Sequence, residues 1–459
     1  VGTNSLGCYQ EGSQELKIYN TSAESFSSIL CLMDYNGKEM LVGTDNGIYL
    51  FDRERKTFRR GDSPFGLWAL SDPTVHAMMR DNEGTLWVMT NSGGINYMSK
   101  QSKRFSTYSL SLTGMEKADK EIGPFCEDRE KNVWVGTRNG LWFFNSQTHS
   151  FHEYFLKKSN IKYDIRSLLL EGDNLWVGTY AEGLHVLNLK TGNIKSYTYS
   201  RDIPNTLCSN DVLSLFKDRK GEIFVGTSWG LCRYNPQSDN FITVINVGAM
   251  ASVTDIYEDM YNNLWIATSN RGVFCYNTVG EEWKHFEHIR EDLTTITSNS
   301  VITLFEDRKG TMWFGTNGGG LCSFSKETET FVDFDPENIW LPDKVIYSIE
   351  QDLAGNFWIS CNSGLYQFNP ADKNKNCLFT INDGLQGNQF TAQSSLASST
   401  GKMYFGGVNG FNVFEPKEFT DNTYLPPVYV INISFPNLNN EREVRRLLRL
   451  DKPFYTVDK

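Results

Sequence analysis

The sequence predicts an all-β fold of tandem β-propellers with four-stranded blades. Three observations predict it. A unit of about 45 residues, the usual length of one propeller blade, recurs along most of the chain. Each unit contains four runs with strand character, separated by turn residues. The 3.6-residue period that helical repeats would show is absent.

The repeated unit reads roughly D-x-x-G-x-L-W-V-G-T-x-x-G-L-x-x-Y-N, as in VWVGTRNGLWFFN and LWVGTYAEGLHVLN. Its central Trp position recurs at intervals of 41 to 48 residues. Wedge-shaped sheets around an axis leave space between blades that a large aromatic ring fills well, so we expect these side chains in the core. The positions are Leu41, Trp87, Trp134, Trp176, Phe224, Trp265, Trp313, Trp358 and Tyr404.

Residues 211–245 show the four strands of one unit. DVLSLFKD alternates apolar and polar residues and ends in the hairpin turn Asp218–Gly221. EIFVGTS follows, and Ser228–Gly230 turns the chain into LCRYN. After Pro236–Asn240, FITVIN is the fourth strand. An Asp recurs six residues before the Trp position, and we expect it to cap the first turn. These residues are Asp81, Asp128, Asp218, Asp259, Asp307 and Asp352.

Val1-Gly2-Thr3 matches the V-G-T core of a tenth unit. Ten units exceed the four to eight blades of an ordinary ring, so we expect two rings in a chain that is part of something longer. Seven units counted back from the last place Trp134 in the first blade of the second ring. The predicted domains are the C-terminal blades of a first propeller (1–105), a complete seven-bladed propeller (106–418), and a linker with the beginning of an Ig-like β-sandwich (419–459).

The last unit lacks a clear fourth strand and runs into the Pro426-Pro427 pair, a plausible domain boundary. A ring whose last sheet is incomplete would keep open strand edges. The run Arg104–Tyr108, which precedes the second ring, could supply the missing strand. We therefore predict that residues 104–109 pair with the blade of Tyr404.

Composition excludes several classes of function. Lys and Arg number 44 against 55 Asp and Glu, a net charge of −11, so the chain lacks the basic face that nucleic acid requires. No run approaches 18 apolar residues, so no membrane segment is predicted within this chain. The nine Cys and six His show no metal-ligand spacing, and we expect neither a metal nor a cofactor. Cys232, Cys275 and Cys322 occupy similar places in the unit and are expected to be buried in strands.

With these motifs, the sequence resembles the regulator propeller repeats of hybrid two-component sensor histidine kinases from gut Bacteroides-type bacteria. The likeness extends from residue 1 to about residue 418. The segment GLQGNQF at 384–390, followed by MYFGGVNGFNVFEP and the proline pair, resembles the last blade of the second propeller in that family. In the family, an Ig-like domain named for its three tyrosines follows that blade.

The resemblance implies a periplasmic sensor region of a membrane-anchored histidine kinase. It implies that the region binds an oligosaccharide released from a complex glycan and regulates polysaccharide-utilisation genes through a phosphorelay. The kinase, receiver and DNA-binding parts of such proteins are not in this sequence. A homodimer would fit signal transfer across a membrane.

Candidate ligand-binding residues lie in turns and connections at one predicted face of the ring, because loops on a rigid scaffold commonly carry function. Flat aromatic rings suit the C–H surfaces of sugars, and planar amide or guanidinium groups suit their hydroxyls and acids. Many such turn residues could equally be polar surface. The candidates are Trp229, Trp340, Arg138, Arg271, Tyr180, Glu182 and Asn317.

Two alternatives remain open from the residues alone. A propeller glycosidase or lyase would need a pair of carboxylates, and the candidates on the predicted face are Glu182, Asp343 and Asp211. No pairing among them follows from the sequence, and no Gly-x-Ser-x-Gly motif occurs. A scaffold that binds only protein is the second alternative. The sequence favours a non-enzymatic sensor.

Overall fold

The computed structural model describes residues 5–9, 16–20, 27–60, 70–82, 84–98, 105–108, 121–148, 150–154, 163–245, 251–335, 341–369 and 376–419. These residues form antiparallel sheets joined by turns, with short 3-10 helices at Ile381–Asp383 and Pro416–Glu418. The all-β prediction is therefore confirmed. Nowhere in this described part does a helix reach the length and apolar character needed to span a bilayer.

Residues before 99 form three sheets, of which the first is a hairpin, the second has four strands and the third has three. Leu41, Ile48, Val75 and Val88 share a buried core between the second and third sheets. The strands are β1 (Ser5–Tyr9), β2 (Leu16–Asn20), β3 (Ile29–Asp34), β4 (Glu39–Thr44), β5 (Gly47–Asp52), β6 (Thr57–Arg60), β7 (Val75–Arg80), β8 (Leu86–Thr90) and β9 (Ile95–Met98).

Seven further sheets of four strands each are the blades of one ring. Blades 1 to 3 consist of β11 (Ile122–Glu127), β12 (Val133–Thr137), β13 (Gly140–Phe144), β14 (Phe151–Tyr154), β15 (Ile165–Glu171), β16 (Asn174–Thr179), β17 (Leu184–Asn188), β18 (Ile194–Tyr197), β19 (Val212–Lys217), β20 (Ile223–Thr227), β21 (Leu231–Asn235) and β22 (Asn240–Ile245), after the short β10 (Ser106–Tyr108). Blades 4 to 6 consist of β23 (Val253–Glu258), β24 (Asn263–Thr268), β25 (Val273–Asn277), β26 (Glu282–Phe286), β27 (Val301–Glu306), β28 (Met312–Thr316), β29 (Leu321–Ser325), β30 (Thr330–Asp333), β31 (Ile346–Gln351), β32 (Phe357–Cys361), β33 (Leu365–Phe368) and β34 (Cys377–Phe379). Blade 7 consists of β35 (Phe390–Ala397), β36 (Met403–Gly407), β37 (Gly410–Phe414) and β10.

The ring is closed. The first strand of each blade contacts the first strand of the next, and β35 of blade 7 contacts β11 of blade 1. Strand β10 pairs antiparallel with β37, with Ser106 opposite Val413 and Tyr108 opposite Phe411. This pairing confirms the predicted source of the missing strand, although Arg104 and residue 109 lie outside the described residues. Closure by an early strand removes the edges that an incomplete last blade would leave open.

The V-G-T core of the repeat reflects close packing between blades. A Cβ added to Gly226 would lie 2.7 Å from Cγ1 of Val253 on the next blade, so only a glycine leaves room for that side chain. Thr227 is fully buried, and its hydroxyl donates to the carbonyl of Gly230 at 2.9 Å. The glycine therefore sets the spacing between blades, and the threonine holds the turn between the second and third strands.

The recurring Asp caps the first turn, as predicted, and in addition holds the motif Trp. Oδ1 of Asp259 accepts from the backbone N–H groups of Tyr261 and Asn263, each at 2.9 Å. Its Oδ2 accepts from Nε1 of Trp265 at 2.8 Å. The same indole bond joins Trp87 to Asp81, Trp313 to Asp307 and Trp358 to Asp352. In these four units the turn supplies the acceptor that an indole N–H needs, whereas the buried Nε1 of Trp134 and of Trp176 has no partner within the described residues.

The cysteines follow the sequence prediction in part. Cys275 and Cys322 are buried and free, as expected for small apolar residues. Cys232 is also buried, but it forms a disulfide with Cys208, 24 residues earlier. No spacing in the sequence indicated this pair, because the two residues meet only after the connection between blades 2 and 3 folds back over β21. Residues 420–459, with the predicted β-sandwich, lie outside the described residues, and the domain boundaries stay predictions.

Candidate functional site

The turns between second and third strands lie at one end of the ring, here called the loop face. The register places the start of each first strand opposite the end of the second strand, as in Val212 with Thr227 and Val253 with Thr268. The connections that enter each first strand therefore reach the same end as those turns. Two loops per blade converge there, on a scaffold fixed by the sheets.

Blades 1 and 2 contribute two Arg–carboxylate pairs to the loop face. Arg138 contacts both carboxylate oxygens of Glu121, at 2.6 and 3.0 Å. On blade 2, Arg166 donates to Asp164 at 2.7 Å, and its guanidinium carbon lies 5.7 Å from the ring centroid of Tyr180. The Tyr180 side chain is 54% exposed. In each pair the carboxylate neutralises the charge of the guanidinium, whose remaining N–H groups can still donate to a ligand.

Blade 3 adds an exposed indole. Trp229 is 45% exposed, and its ring packs edge-on against Tyr199 with centroids 5.7 Å apart. Tyr199 belongs to the connection that enters blade 3. The pair fixes the orientation of the indole while leaving much of its surface open. Such a ring loses little conformational freedom when a ligand packs on it.

Asp211 fastens the loops that carry these two aromatic rings. Its Oδ1 accepts from the backbone N–H of Ala181 at 2.9 Å, and its Oδ2 accepts from the hydroxyl of Ser228 at 3.0 Å. Ala181 follows Tyr180 and Ser228 precedes Trp229 in the sequence. Blades 2 and 3 therefore present Tyr180 and Trp229 on mutually anchored turns.

A small cleft of about 30 Å³ opens where blades 1, 2 and 7 meet at the loop face. Glu121, Arg138, Asp164, Arg166 and Thr391 are among its lining residues. Within the described residues, three buried polar atoms here have no hydrogen-bond partner: Oδ1 of Asp164, Nε of Arg166 and Oγ1 of Thr391. Unpaired buried polar atoms cost free energy, and a ligand's polar group can satisfy them.

The structure brings some of the predicted residues together. Arg138, Tyr180, Glu182 and Trp229 lie on the consecutive turns of blades 1 to 3, with Glu182 exposed beside Ala181. We call Arg138, Arg166, Tyr180, Tyr199 and Trp229 the aromatic–arginine arc.

Arg271 and Asn317 also lie in turns of the loop face, but on blades outside the arc. Arg271 is on blade 4, where its Nε lies 3.3 Å from Glu287 and its carbonyl contacts Nε2 of His285 at 2.8 Å. Asn317 is an exposed turn residue of blade 5, whose backbone N–H donates to Ser300. Trp340 lies outside the described residues. The binding face therefore stays a prediction, and the sequence named three residues of the arc, Arg138, Tyr180 and Trp229.

Sequence reasoning missed Arg166, Tyr199 and Thr391. Arg166 follows the buried Ile165, at a position where blades 3 to 6 carry Leu213, Thr254, Ile302 and Tyr347. A charge at an otherwise uncharged position of the repeat was the available signal. Thr391 lies in a register shift of β35 between Phe390 and Ser395, which no motif indicates.

Two carboxyl groups, on residues of intermediate exposure, join blades beneath the face. Asp255 of blade 4 accepts from the backbone N–H of Leu304 on blade 5 at 2.8 Å, and burial raises the pKa of Asp255 to about 7. Glu350 of blade 6 accepts from the hydroxyl of Ser395 on blade 7 at 2.9 Å, and burial raises the pKa of Glu350 to about 7 as well. Both face neighbouring blades, so their role is structural.

Comparison with known proteins agrees with this architecture. Residues 249–270 and 295–318 match the family described as two component regulator propeller. The chain is 23% identical over 356 residues to "Histidine kinase P4" of Formosa agariphila, covering 75% of this chain and 26% of that protein. The chain thus spans about a quarter of that relative's length.

Solved structures share the fold. The extracellular domain of a protein assigned as a hybrid two-component system from B. thetaiotaomicron aligns with TM-score 0.71 and 23% identity, covering 99% of this chain and 59% of that one. A second B. thetaiotaomicron extracellular domain, from a protein assigned as a one-component system, aligns with TM-score 0.53 and 19% identity over 92% of this chain and 57% of that one. Virginiamycin B lyase from Staphylococcus aureus aligns with TM-score 0.50 and 13% identity, covering 68% of this chain and 98% of that one.

The repeats, the closed ring and these likenesses lead to one assignment. Residues 249–270 and 295–318 carry two component regulator propeller repeats, and the chain is similar to a histidine kinase and to the extracellular domain of a hybrid two-component system.

Proposed function

We propose that this chain is the extracytoplasmic ligand-sensing module of a hybrid two-component sensor histidine kinase. In this proposal it binds a glycan-derived oligosaccharide at the loop face, without cleaving it. Binding then controls polysaccharide-utilisation genes through the phosphorelay of the parent protein. The resemblance of the repeats supports the sensor role, and the arc supports the choice of ligand.

The aromatic–arginine arc is the observation that carries the ligand class. Tyr180 and Trp229 expose about half of their surface on anchored turns. Arg166 lies beside Tyr180, and Arg138 lies on the turn of the neighbouring blade 1. Sugar rings present C–H-rich faces to aromatic rings and hydroxyl or acid groups to guanidinium donors. An extended oligosaccharide suits an arc spread over three blades better than a compact small molecule does.

Signalling requires a ligand that binds one arrangement of the protein better than another. A ligand that touches Tyr180 and Trp229 together would favour the arrangement in which Asp211 joins their turns. In the parent protein, this preference would pass to neighbouring domains and across a homodimer. The arc thus offers a physical basis for coupling between blades 2 and 3.

The Cys208–Cys232 disulfide supports a periplasmic location of this region, with the parent anchored in the inner membrane. Disulfides form and persist in oxidising compartments and are rare in the cytosol. Two-component sensors that respond to external ligands need such an exposed region.

A glycosidase or lyase is the enzymatic alternative. The carboxylate of Asp211 already accepts two hydrogen bonds that hold turns. That of Asp343 accepts from the backbone N–H of Val345 at 2.8 Å and from the hydroxyl of Ser363 at 3.3 Å. Both carboxylates therefore serve the loops, which favours a binding role over acid–base catalysis.

A thermal-shift screen against plant, host and microbial oligosaccharides tests the proposal, with each mixture analysed afterwards for cleavage products. A glycan that raises the melting temperature without being cleaved supports it, because binding to the native state stabilises by mass action. Trp229→Ala should abolish the shift. Trp283→Ala is the matched control, since Trp283 is 41% exposed on the edge strand β26, away from the arc. Cleavage, or an unchanged shift in Trp229→Ala, would contradict the proposal.

A further inference from the structure

A second cavity lies between blades 4 and 5, away from the loop face. Its volume is about 210 Å³, and it is lined by strands β24 to β26 on one side and by β29 and the turn after it on the other. Pockets for drug-sized ligands usually measure about 300–1,000 Å³, so this one suits a single ring.

A short side chain, Cys275, forms part of the cavity wall. In each blade, a third-strand residue lies opposite the motif Trp position, and in blade 4 this residue is Cys275, opposite Trp265. In blade 1 the equivalent residue is Phe143, whose ring packs against Trp134 with centroids 4.9 Å apart. In blade 6 it is Gln367. The short Cys275 side chain therefore leaves open a space that Phe143 occupies in blade 1, whereas blade 5 carries the smaller Ser323 at this position.

One wall of the cavity carries aromatic rings, and amide and charged side chains make up much of the remaining lining. Trp265, Phe286 and Phe324 line it together with Cys275. Burial raises the pKa of the Cys275 thiol to about 12, so the thiol stays neutral at physiological pH. Aromatic walls of this kind favour a flat apolar ring, through burial of apolar surface and ring–ring contacts.

The amides of the cavity are already engaged. Asn277 donates to Oδ1 of Asn263 at 2.7 Å, and Asn263 donates to Asp259 at 2.8 Å. Oδ1 of Asn277 accepts from the backbone N–H groups of Val279 and Gly280. A pyranose, with hydroxyls around its ring, would find few free partners here. The cavity therefore disfavours a sugar.

The rim carries one lysine available to an anion. Lys284 pairs with Glu329 across the two blades. The ammonium of Lys326 lies 3.1 Å from the ring centroid of Tyr261, and no ion pair joins Lys326 to a carboxylate in the part of the chain that the structure describes. Glu282, also at the rim, is exposed to water. An ammonium beside an apolar cavity provides a charge-assisted bond to a carboxylate.

We propose that the pocket between blades 4 and 5 binds a small monocyclic aromatic carboxylate. Its ring fills the space beside Cys275, and its carboxylate pairs with Lys326. This site is separate from the aromatic–arginine arc, and the proposal is independent of the sugar ligand proposed for that arc.

Titration of the whole chain with 4-fluorobenzoate, followed by fluorine NMR, tests the proposal. We expect 4-fluorobenzoate to bind saturably and unlabelled benzoate to displace it. Benzyl alcohol, which lacks the charge, should displace it at least about tenfold less well, a factor that corresponds to about 1.4 kcal/mol. Cys275→Phe, which places in blade 4 the residue that blade 1 already carries, should abolish binding. Lys326→Gln should weaken it by about tenfold. Lys220→Gln, at an exposed turn of blade 3, is the control and should change nothing.

Absence of saturable binding to the unmodified chain would overturn the proposal. Binding that persists in Cys275→Phe would place the probe elsewhere. Equal displacement by benzyl alcohol, or full affinity in Lys326→Gln, would overturn the carboxylate assignment. A circular dichroism spectrum of each variant shows that the fold is retained. Lys326 is exposed, so its substitution gives an answer even if Cys275→Phe does not fold.

Discussion

Replacing Asp255 by Asn should stabilise the protein at alkaline pH and not at acid pH. Asp255 lies on β23, has intermediate exposure, and faces β27, where its two oxygens accept the backbone N–H groups of Leu304 and Ile256, each at 2.8 Å. Burial raises its pKa from 3.8 to about 7. Between these values, the native protein holds a proton that the unfolded chain has released, so stability falls as pH rises through this window.

The expected size follows from that pKa difference. About three pKa units at 1.36 kcal/mol per unit give about 4 kcal/mol, lost progressively between about pH 4 and pH 7. Asn stays neutral at every pH. Its NH2 group replaces one accepting oxygen, so one backbone N–H loses its acceptor at a cost of about 1–3 kcal/mol that does not depend on pH. The difference in unfolding free energy between Asp255→Asn and the unmodified chain should therefore grow by about 4 kcal/mol from pH 4 to pH 8.

Urea unfolding at pH 4, 6 and 8, followed by Trp fluorescence, measures this difference. Because each value is a difference between two variants, the titration of Glu350 and of other groups cancels. Asp202→Asn, an exposed loop substitution, is the matched control and should give the same small difference at all three pH values. A pH-independent difference for Asp255→Asn, or a variant less stable than the unmodified chain at pH 8, would refute the reasoning.

Three further predictions concern packing and covalent structure. Gly226→Ala should destabilise the protein by about 1–3 kcal/mol in urea unfolding, because the added Cβ meets Val253 Cγ1 at 2.7 Å. Ala267→Gly, at the same position of blade 4, is the comparison. An equal effect of the two substitutions would contradict the packing argument. Asn412→Ala should lower the free energy of unfolding by about 1–3 kcal/mol and speed hydrogen exchange in β10. The reason is that fully buried Asn412 donates to Thr107 at 2.7 Å and accepts from the Gln386 N–H at 2.9 Å. Unchanged exchange in β10 would count against a role of Asn412 in ring closure. Replacing both Cys208 and Cys232 by Ser should lower the free energy of unfolding by about 2–4 kcal/mol. The intact mass of the unmodified chain should rise by two hydrogens on reduction, and an unchanged mass would show that the disulfide is absent.

Much of the fold could be predicted because each blade repeats the same sequence motif, whose hydrogen bonds join residues close together in the chain. Asp259, Trp265 and Thr268 belong to one unit, and each forms hydrogen bonds with residues only a few positions away in the sequence. The closing strand was also predictable, since the last unit visibly lacks one. The Cys208–Cys232 pair was not, because its partners lie on different structural elements.

The candidate site was predictable only as a face. Turn position placed Tyr180 and Trp229 at the loop face, since the side of a blade on which a turn lies follows from strand order. Arg166 and Thr391 join Arg138 only because blades 1, 2 and 7 meet at one cleft. Contacts between blades that are distant in sequence depend on ring closure, which a single unit does not encode.

The sequence by itself determined the blade, its turn caps and the number of blades, because those features rest on hydrogen bonds and side-chain alternation within about 45 residues. Only the tertiary structure decided which side chains meet across blades. The anchoring of Tyr180 and Trp229 through Asp211, the raised pKa of Asp255 and the cavity beside Cys275 all arise at such junctions. Burial and packing between sheets create them, and these depend on the closed ring as a whole.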